Sequence, residues 1–384
     1  MKKHHIIGID ARFYGEAGPG RYVKNILENL EKLDIKNKYI IFLTKKNYDM
    51  YIPSAGNFEK VLADYKWYTW SEQLGFLFKV IKQKLDLFYV PHFNIPVLYP
   101  KKLAAAIPDI IMHSFSTEKG TTLPKFYFKF KKLIYKFVVY WAVLRSKKVI
   151  IPSKDAINDF KKAFPKIKES KYVLAYEGVD LDFKNGQNIL SSVLEKYNIK
   201  KPFLLYVSSM YEHKNVPRLI EAFKNLRKTY SFPGQLVLIG KKDKFSEDIQ
   251  KLVKDENLEN KVLMPGMKSY VPDEDVLALR KEARAYVFPS LKEGFSLTPL
   301  EAQAVGLPCA ISDIACHREI YGDSVLYFDP HDTSDMTEKI NEIITNENLR
   351  NKLISKGKDL QSKYSWQNTA KITLDVFNQI LEGI

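Results

Sequence analysis

The chain has 384 residues, more than one typical hydrophobic core accommodates, so two domains are expected. With 45% hydrophobic and 27% charged residues, the composition is that of an ordinary globular protein. Two cysteines, Cys309 and Cys316, exclude a disulfide framework, and the lack of a long uncharged apolar run argues against a membrane span.

The net charge of +15 is concentrated in the first half of the sequence. Residues 1–180 contain 32 Lys and Arg against 17 Asp and Glu, and the remaining residues contain 28 of each kind. A positive field of this size favours an anionic partner, such as phospholipid, lipid-linked pyrophosphate or nucleic acid.

The first half alternates predicted strands with helical segments. Strands are predicted at HIIGIDA, YIIFLT, LDLFYV, LAAAIPD, KKVIIPS and KYVLAYEGVD, and RYVKNILENLEKL has the spacing of an amphipathic helix. Strands separated by helices indicate a parallel sheet covered on both faces.

A second series of the same kind begins near residue 199, with strands at FLLYVSS, GQLVLIG, KVLMPG, AYVFPS, PCAIS and SVLYFD. The predicted fold class is therefore α/β, with two Rossmann-like doubly wound domains, 1–185 and 199–365, facing a cleft. A polar connection between them suits a hinge. A helix at 366–384 is expected to pack back on the first domain.

The segment LKEGFSLTPLEAQAVGLP, residues 291–308, follows a predicted strand and enters a helix. Such a loop offers free backbone N–H groups and the positive end of the helix dipole, which together suit a diphosphate. Gly294 allows the backbone to approach that group closely. Glu293 and Glu301 flank the loop, and their carboxylates would accept hydrogen bonds from sugar hydroxyls.

A purely structural explanation of the same residues is also available. Thr298, Pro299 and Glu301 fit the N-cap, N1 and N3 positions of a capping box, and Gly306 would end the helix. On that explanation Glu301 contributes only about 1 kcal/mol of helix stability.

The segment from PSLKEGFSLTPLEAQAVGLP to HREIYGDSVLYFDPHD resembles the carboxyl-half signature of the family 4 glycosyltransferases (glycosyl transferases group 1). Glu293 and Glu301 have the E-x7-E spacing of that family, and Glu319 stands at the usual acid of a later segment. The resemblance runs from about residue 6 to 377 and implies a retaining, metal-independent enzyme of the GT-B fold. It implies that Glu293 contacts the donor hexose and Glu301 the ribose. Backbone amides facing the phosphates would come from Phe295, Ser296, Leu297 and Thr298.

The loop YVSSMYEHKNVPRLIEAF resembles the strand–loop–helix of this family that has KN or KG at the turn. Lys214 would neutralise the leaving diphosphate, although a solvated lysine is the alternative. Ser208 stands where many relatives have an arginine, so Lys214 would carry more of the positive charge.

Two other loops also match the family. Gly18 and Gly20 in GEAGPGRYVKNIL would let the backbone come near the donor, while Arg21 could meet a phosphate or cap the sheet. In PGMKSYVPDEDV, backbone groups at Gly266 and Met267 would hold the nucleobase.

The nucleotide is expected to be GDP or UDP. Because WYTWSEQLGF and DLFYVPHFNIP resemble O-antigen mannosyltransferases, mannose is the first candidate hexose, with glucose, galactose and N-acetylglucosamine left open.

The loops DLFYVPHFNIP and AIPDIIMHSF are expected on the acceptor side, which assigns the first domain to the acceptor and the second to the nucleotide-sugar. His92 stands where close relatives have a histidine. Most relatives have His-Asp in the second loop, whereas this chain has Pro108 and Asp109, so Asp109 alone would orient the acceptor hydroxyl. Packing is the alternative explanation for His92 and for His113.

The resemblance implies a front-face mechanism in which the leaving phosphate takes the acceptor proton. The predicted catalytic residues are Glu293, Lys214, Asp109 and His92. Because no aspartate-rich motif or histidine cluster is placed to bind a divalent ion, no metal is expected, and no cofactor besides the donor.

Residues 119–148 interleave aromatic residues with lysines. One interpretation is a core helix with a solvated edge, and the other is an interfacial helix on anionic lipid. The second agrees with the lipid-linked acceptors that family 4 enzymes often use. It predicts a cytoplasmic protein in peripheral contact with the inner face of the membrane.

Two rival functions stay open. A nucleotide-sugar epimerase or hydrolase would share the two-domain fold, and a nucleic-acid-binding protein would share the interleaved basic and aromatic residues. The neutral second half argues against the nucleic-acid binder.

Overall fold

The chain folds into two compact units in a computed structural model that describes residues 4–16, 18–115, 125–179 and 190–383. The first unit comprises Met1–Gly178 together with Ser365–Ile384, and the second comprises Val179–Tyr364. The start of the predicted basic segment, 119–124, and residues 180–189 of the predicted hinge lie outside the described residues.

The first unit contains, in its described part, a seven-stranded parallel sheet in the order β3-β2-β1-β4-β5-β6-β7. Its central strands are buried along their whole length, because helices cover both faces of the sheet. The strands are β1 (Ile6–Asp10), β2 (Lys38–Leu43), β3 (Phe58–Leu62), β4 (Leu87–Val90), β5 (Leu103–Ala106), β6 (Lys148–Ile151) and β7 (Tyr172–Leu174).

Helices cover this sheet on both sides. They are α1 (Pro19–Leu33), α2 (Leu77–Lys82), α3 (Lys125–Arg145), α4 (Lys154–Ala163) and α13 (Trp366–Glu382). Side chains of α1 and α13 share one apolar core with the sheet, and side chains of α2, α3 and α4 share the core on the opposite face. The last helix of the sequence therefore completes the core of the first unit.

The second unit repeats this architecture with a parallel sheet in the order β10-β9-β8-β11-β12-β13. The strands are β8 (Phe203–Val207), β9 (Gln235–Ile239), β10 (Val262–Leu263), β11 (Ala285–Phe288), β12 (Cys309–Ser312) and β13 (Leu326–Phe328). The helices are α5 (Leu190–Lys196), α6 (Val216–Tyr230), α7 (Lys244–Asp255), α8 (Asp273–Glu282), α9 (Leu297–Ala304), α10 (Ala315–Tyr321), α11 (Thr333–Thr345) and α12 (Glu347–Gln361). The predicted pair of doubly wound α/β domains is confirmed.

Each sheet has one point where the strand order reverses. In the first sheet it lies between β1 and β4, and in the second between β8 and β11. Open α/β sheets bind ligands outside the carboxyl ends of their strands at this switch point. The loops to inspect are therefore 11–18 and 91–96 in the first unit, and 208–215 and 289–296 in the second.

The capping-box interpretation of α9 is wrong. The helix begins at Leu297, its N-cap is Ser296, and the Ser296 side chain makes no capping hydrogen bond. Thr298 and Glu301 therefore lie inside the helix rather than at its N-cap and N3 positions. The predicted end is confirmed, since Gly306 has a φ of 77°, which glycine adopts without strain.

Candidate active site

An ion pair lies at the switch point of the second unit. Lys214 is in the short helical turn after β8, Glu293 is in the loop after β11, and Lys214 Nζ lies 2.6 Å from Glu293 Oε1. Burial alone would raise the pKa of Glu293, but the charge of Lys214, together with His213 and the hydrogen bonds from Lys214 and Ser290, outweighs burial and lowers the pKa. Glu293 is therefore a carboxylate at neutral pH and can accept hydrogen bonds from hydroxyl groups.

The two loops that carry this ion pair are joined by one backbone and one side-chain hydrogen bond. The Leu291 N–H donates to the His213 carbonyl at 2.7 Å, and Asn215 Nδ2 donates to the Pro289 carbonyl at 3.1 Å. Asn215 has a left-handed backbone with φ of 59°. Asn and Gly adopt that conformation most readily, which gives a physical reason for KN or KG at this turn.

The predicted phosphate-facing residues form the entry to α9. Gly294 and Phe295 are buried, Ser296 is the N-cap, and Leu297 and Thr298 begin the helix and are half-buried. The first N–H groups of an α-helix have no acceptor within the helix itself, so this entry can receive an anion.

A buried histidine holds Ser296 in place, and sequence reasoning gave it no role. His317 Nδ1 lies 2.8 Å from the Ser312 carbonyl, so Nδ1 carries the proton and Nε2 accepts from the Ser296 hydroxyl at 3.1 Å. The Tyr321 hydroxyl donates to the Ser296 carbonyl. Burial lowers the pKa of His317 to about 4, so the ring is neutral at physiological pH.

Glu301 has a partner that the sequence analysis did not identify. Arg280 of α8 lies 2.5 Å from Glu301 Oε2, and each side chain is only 3% exposed. The sequence signal for this pair was Arg280 itself, which lies four residues after Val276 and therefore on the same, buried side of α8. The expected contact between Glu301 and a ribose stays a prediction.

The predicted nucleobase loop contains Gly266 and Met267 in a short turn after β10. A Cβ atom at Gly266 would lie 2.0 Å from the Gly240 carbonyl, and one at Gly240 would lie 2.6 Å from the Ser208 carbonyl. Loops after β10, β9 and β8 are therefore stacked in a row at the carboxyl edge. This packing explains the glycine at 266 without a ligand.

In the first unit, the predicted glycine loop precedes α1. Gly18 is the N-cap of α1, with φ of 66°. A Cβ atom at Gly20 would lie 2.3 Å from the Phe13 carbonyl, so the loop folds tightly on itself at that point. Arg21 follows in the first turn of the helix and is half-buried.

The three acceptor-side candidates lie after β4 and β5. His92 Nδ1 accepts the Asn94 N–H at 3.0 Å, and burial lowers the pKa of His92 to about 4. Asp109 Oδ1 accepts the backbone N–H two residues further on at 2.9 Å. His113 packs edge-on against Tyr135, with ring centroids 5.2 Å apart, in agreement with its packing explanation.

Glu177, just after β7, was not identified by the sequence analysis. Its side chain is buried, and burial, followed by the charge of Asp109, raises its pKa to about 7, although Arg21 acts in the opposite direction. It adds a titratable carboxyl group to the carboxyl edge of the first sheet.

The structure therefore brings together Lys214, Glu293 and the entry to α9 in the second unit. Among the described residues, no group of three or more His, Cys, Asp or Glu side chains is arranged to hold a metal ion. Over the same residues, no helix combines the length and the apolar character needed to cross a bilayer.

Comparison with known proteins identifies relatives of this chain in sequence and in fold. Residues 193–360, inside the second unit, match the family model "Glycosyl transferases group 1". The chain is 30% identical over 186 residues to O-antigen chain mannosyltransferase B of Escherichia coli, covering 48% of each chain. It is 29% identical over 195 residues to the serotype-specific mannosyltransferase WbdA of Escherichia coli, covering 50% of this chain and 24% of that protein. The matches thus span about half or less of these relatives.

The fold extends beyond the matched segment. Sucrose-phosphate synthase of Thermosynechococcus elongatus superposes with a TM-score of 0.76 at 16% identity, covering 99% of this chain and all of the other. Likeness at this identity speaks for the fold alone. Residues 193–360 thus match the glycosyl transferases group 1 family, and the chain has the α/β fold of the GT-B glycosyltransferases.

Proposed function

We propose that the protein is a retaining glycosyltransferase that moves a hexose from a nucleotide-sugar to a saccharide or lipid-linked acceptor in cell-surface polysaccharide synthesis. Mannose from GDP-mannose is the first candidate, because the relatives reported above are mannosyltransferases. The observation that carries the proposal is the Lys214–Glu293 ion pair beside the entry to α9 at the switch point of the second sheet.

Lys214 is suited to the leaving diphosphate. An ammonium group has three N–H donors, so it can keep its bond to Glu293 and still donate to a phosphate oxygen. The first-turn N–H groups of α9 add a positive dipole end on the same side of the loop. Fixed donors aimed at developing negative charge are an effective means of stabilising a transition state.

Glu293 is suited to the hexose. Its carboxylate is held by Lys214 and stays ionised, and an ionised carboxylate accepts hydrogen bonds from sugar hydroxyls. In the proposed front-face transfer the sugar–phosphate bond breaks, the acceptor oxygen bonds to the anomeric carbon from the same face, and the leaving phosphate takes the acceptor proton. His92 and Asp109 would contact the acceptor. Because Lys214 and α9 offset the phosphate charge, we propose that no metal cofactor takes part.

Calorimetric titration with GDP, UDP, GDP-mannose and UDP-glucose tests the donor part of the proposal. One nucleotide is expected to bind wild-type protein. Glu293→Gln is expected to weaken binding of the nucleotide-sugar more than binding of the free nucleotide. Activity after treatment with EDTA should equal activity before it. Proton NMR of the product then gives the anomeric configuration. Failure of all four compounds to bind would refute the proposal.

We further propose that α3 contacts an anionic membrane. The core-helix interpretation placed Phe130, Leu133, Ile134, Phe137, Val138 and Trp141 in the apolar body of the helix. The structure exposes the first four of these, while Val139, Ala142 and Val143 face the core. Among the side chains of α3 that the structure describes, from residue 130 onward, the large exposed hydrophobic ones are Phe130, Leu133, Ile134, Phe137, Tyr140 and Leu144. Residues 125–148 contain eight basic residues and no acidic residue. Apolar side chains flanked by lysines suit the interface of an anionic bilayer.

Sedimentation with phosphatidylglycerol-containing vesicles tests this contact. The wild-type protein is expected to bind them, to bind phosphatidylcholine vesicles poorly, and to be released by salt. Leu133→Glu should abolish binding. Ile35→Glu is the matched control, because Ile35 is equally an exposed aliphatic residue but lies outside α3. Equal binding by both variants would contradict the assignment.

A further inference from the structure

Five partly exposed rings form a row along the carboxyl edge of the first sheet. Trp67 stacks on Phe13 with ring centroids 4.0 Å apart, Phe13 lies 4.9 Å from His92, His92 lies 4.1 Å from Phe93, and Phe93 lies 6.4 Å from Tyr68. We name this row, Phe13, Trp67, Tyr68, His92 and Phe93, the aromatic shelf. Its members follow β1, β3 and β4, and the switch point of the sheet lies between β1 and β4.

A buried ionic network connects the loops that carry the aromatic shelf. The Arg12 guanidinium donates to Asp10 and to Glu72, each at 2.8 Å, and its Cζ lies 3.9 Å from the centroid of the Trp67 ring. Glu72 also accepts from Asn94 Nδ2 at 2.9 Å. Arg12, Asp10, Glu72 and Asn94 are all buried. Hydrogen bonds and ion pairs are strengthened in a low dielectric, so this network holds the loops after β1, β3 and β4 together.

Tyr68 has a conformation that packing alone does not explain. The residue is 65% exposed, yet its backbone has φ of 61°, a region that bulky residues rarely adopt. The Tyr68 N–H donates to Glu72 Oε2 at 2.8 Å, which holds the residue there. Glu72 itself begins a π-helical turn, Glu72–Phe76, and such turns are frequent at functional sites. Backbone strain of this kind is maintained at ligand sites more often than elsewhere.

The aromatic shelf is an uncharged surface whose chemistry suits the binding of a sugar ring. All five rings are uncharged at neutral pH, and the charged groups of the network are buried. Because His92 Nδ1 accepts the Asn94 N–H, the proton of the neutral ring is on Nε2, which can donate to a hydroxyl. Aromatic faces carry partial negative charge and attract the C–H groups that line one face of a pyranose.

We propose, on the basis of the transferase function above, that the aromatic shelf is a subsite that stacks one pyranose ring of the saccharide acceptor. His92 Nε2–H donates to a hydroxyl of that ring, and Tyr68 closes the outer end of the row. The ligand is a neutral sugar ring rather than a phosphate or a nucleobase of the donor.

Saturation-transfer NMR with methyl α-mannopyranoside on the full-length protein tests the subsite. Tyr68→Ala is the test variant, because its exposed ring can be removed without opening the core. Trp70→Ala is the matched control, since Trp70 is an aromatic residue that is 83% exposed and lies two residues away, outside the aromatic shelf. Loss of one aromatic contact should weaken the binding of the glycoside about fivefold. It should raise the acceptor KM by the same factor without changing the donor KM.

The outcomes separate the shelf from the proposed function. Selective loss in Tyr68→Ala, with glycoside binding intact in Trp70→Ala, supports the subsite. The subsite is overturned if Tyr68→Ala binds the glycoside as well as wild type does, or if both variants lose binding equally. It is also overturned if wild type gives no glycoside signal. Nucleotide titration of Tyr68→Ala is run in parallel. If nucleotides bind and the glycoside result is negative, only the subsite fails, whereas absence of nucleotide binding removes the transferase proposal itself.

Discussion

Replacing Glu301 by Gln is expected to destabilise the second unit strongly. The substitution removes the partner of Arg280, whose guanidinium is then a buried charge without its counter-ion. From the sequence alone, Glu301 was expected either to contact the ribose or to contribute about 1 kcal/mol of helix stability. The buried ion pair changes that expectation.

The magnitude follows from the burial of the pair. Both side chains are 3% exposed, so solvent screens little of their interaction. Breaking such a pair by removing one partner costs about 3–5 kcal/mol, whereas replacing both partners by neutral groups is often close to neutral. For a unit of this length, 3–5 kcal/mol corresponds to a fall of about 10 °C in Tm.

Differential scanning calorimetry of three variants checks the reasoning. Glu301→Gln and Arg280→Met are each expected to lower Tm, and the double variant should recover most of the loss. Nucleotide affinity of the stable double variant then tells whether Glu301 also contacts the ribose. A Glu301→Gln protein as stable as wild type would refute the description of the pair as a buried, coupled interaction.

Three further predictions concern single side chains. Lys214→Met should lower kcat/KM about 10²–10³-fold, because it removes a donor to the leaving phosphate, and steady-state rates near wild type would contradict this. His317→Leu should lower nucleotide affinity in calorimetry, since Ser296 loses its hydrogen-bond acceptor, and unchanged affinity would remove the positioning role. Glu177→Gln should stabilise the protein by about 3 kcal/mol at pH 8 and leave it unchanged at pH 4, because the raised pKa of about 7 means that native stability falls as pH rises from 4.5 toward 7. Urea denaturation at both pH values measures that difference.

The sequence predicted the two sheets because most strands are continuous apolar runs. It missed β3, whose sequence FEKVL mixes Glu59 and Lys60 with apolar residues. This strand lies at the edge of the sheet, next to β2 only, so its side chains are not all required to be buried. Apolar periodicity therefore identifies central parallel strands well and edge strands poorly.

The candidate site was predictable as far as topology determines it. The loops carrying Lys214 and Glu293 follow strands, and the switch-point rule places them together. The start of α9 was not predictable, because Ser296 is held by His317 and Tyr321, more than twenty residues further along the chain. The partner of Glu301 is similarly remote in sequence. Contacts between distant residues decide these details, and local propensity does not encode them.

The first unit is interrupted in sequence by the whole of the second, and α13 fills the groove beside α1. During translation, α1 and the strands of its sheet therefore emerge from the ribosome long before α13, which packs against them, has been synthesised. Until then, the apolar stripe of α1 has to be shielded by a chaperone or by transient collapse, whereas the second unit can mature as soon as it emerges. Nascent chains arrested after residue 364 should accordingly recruit chaperones through the first unit.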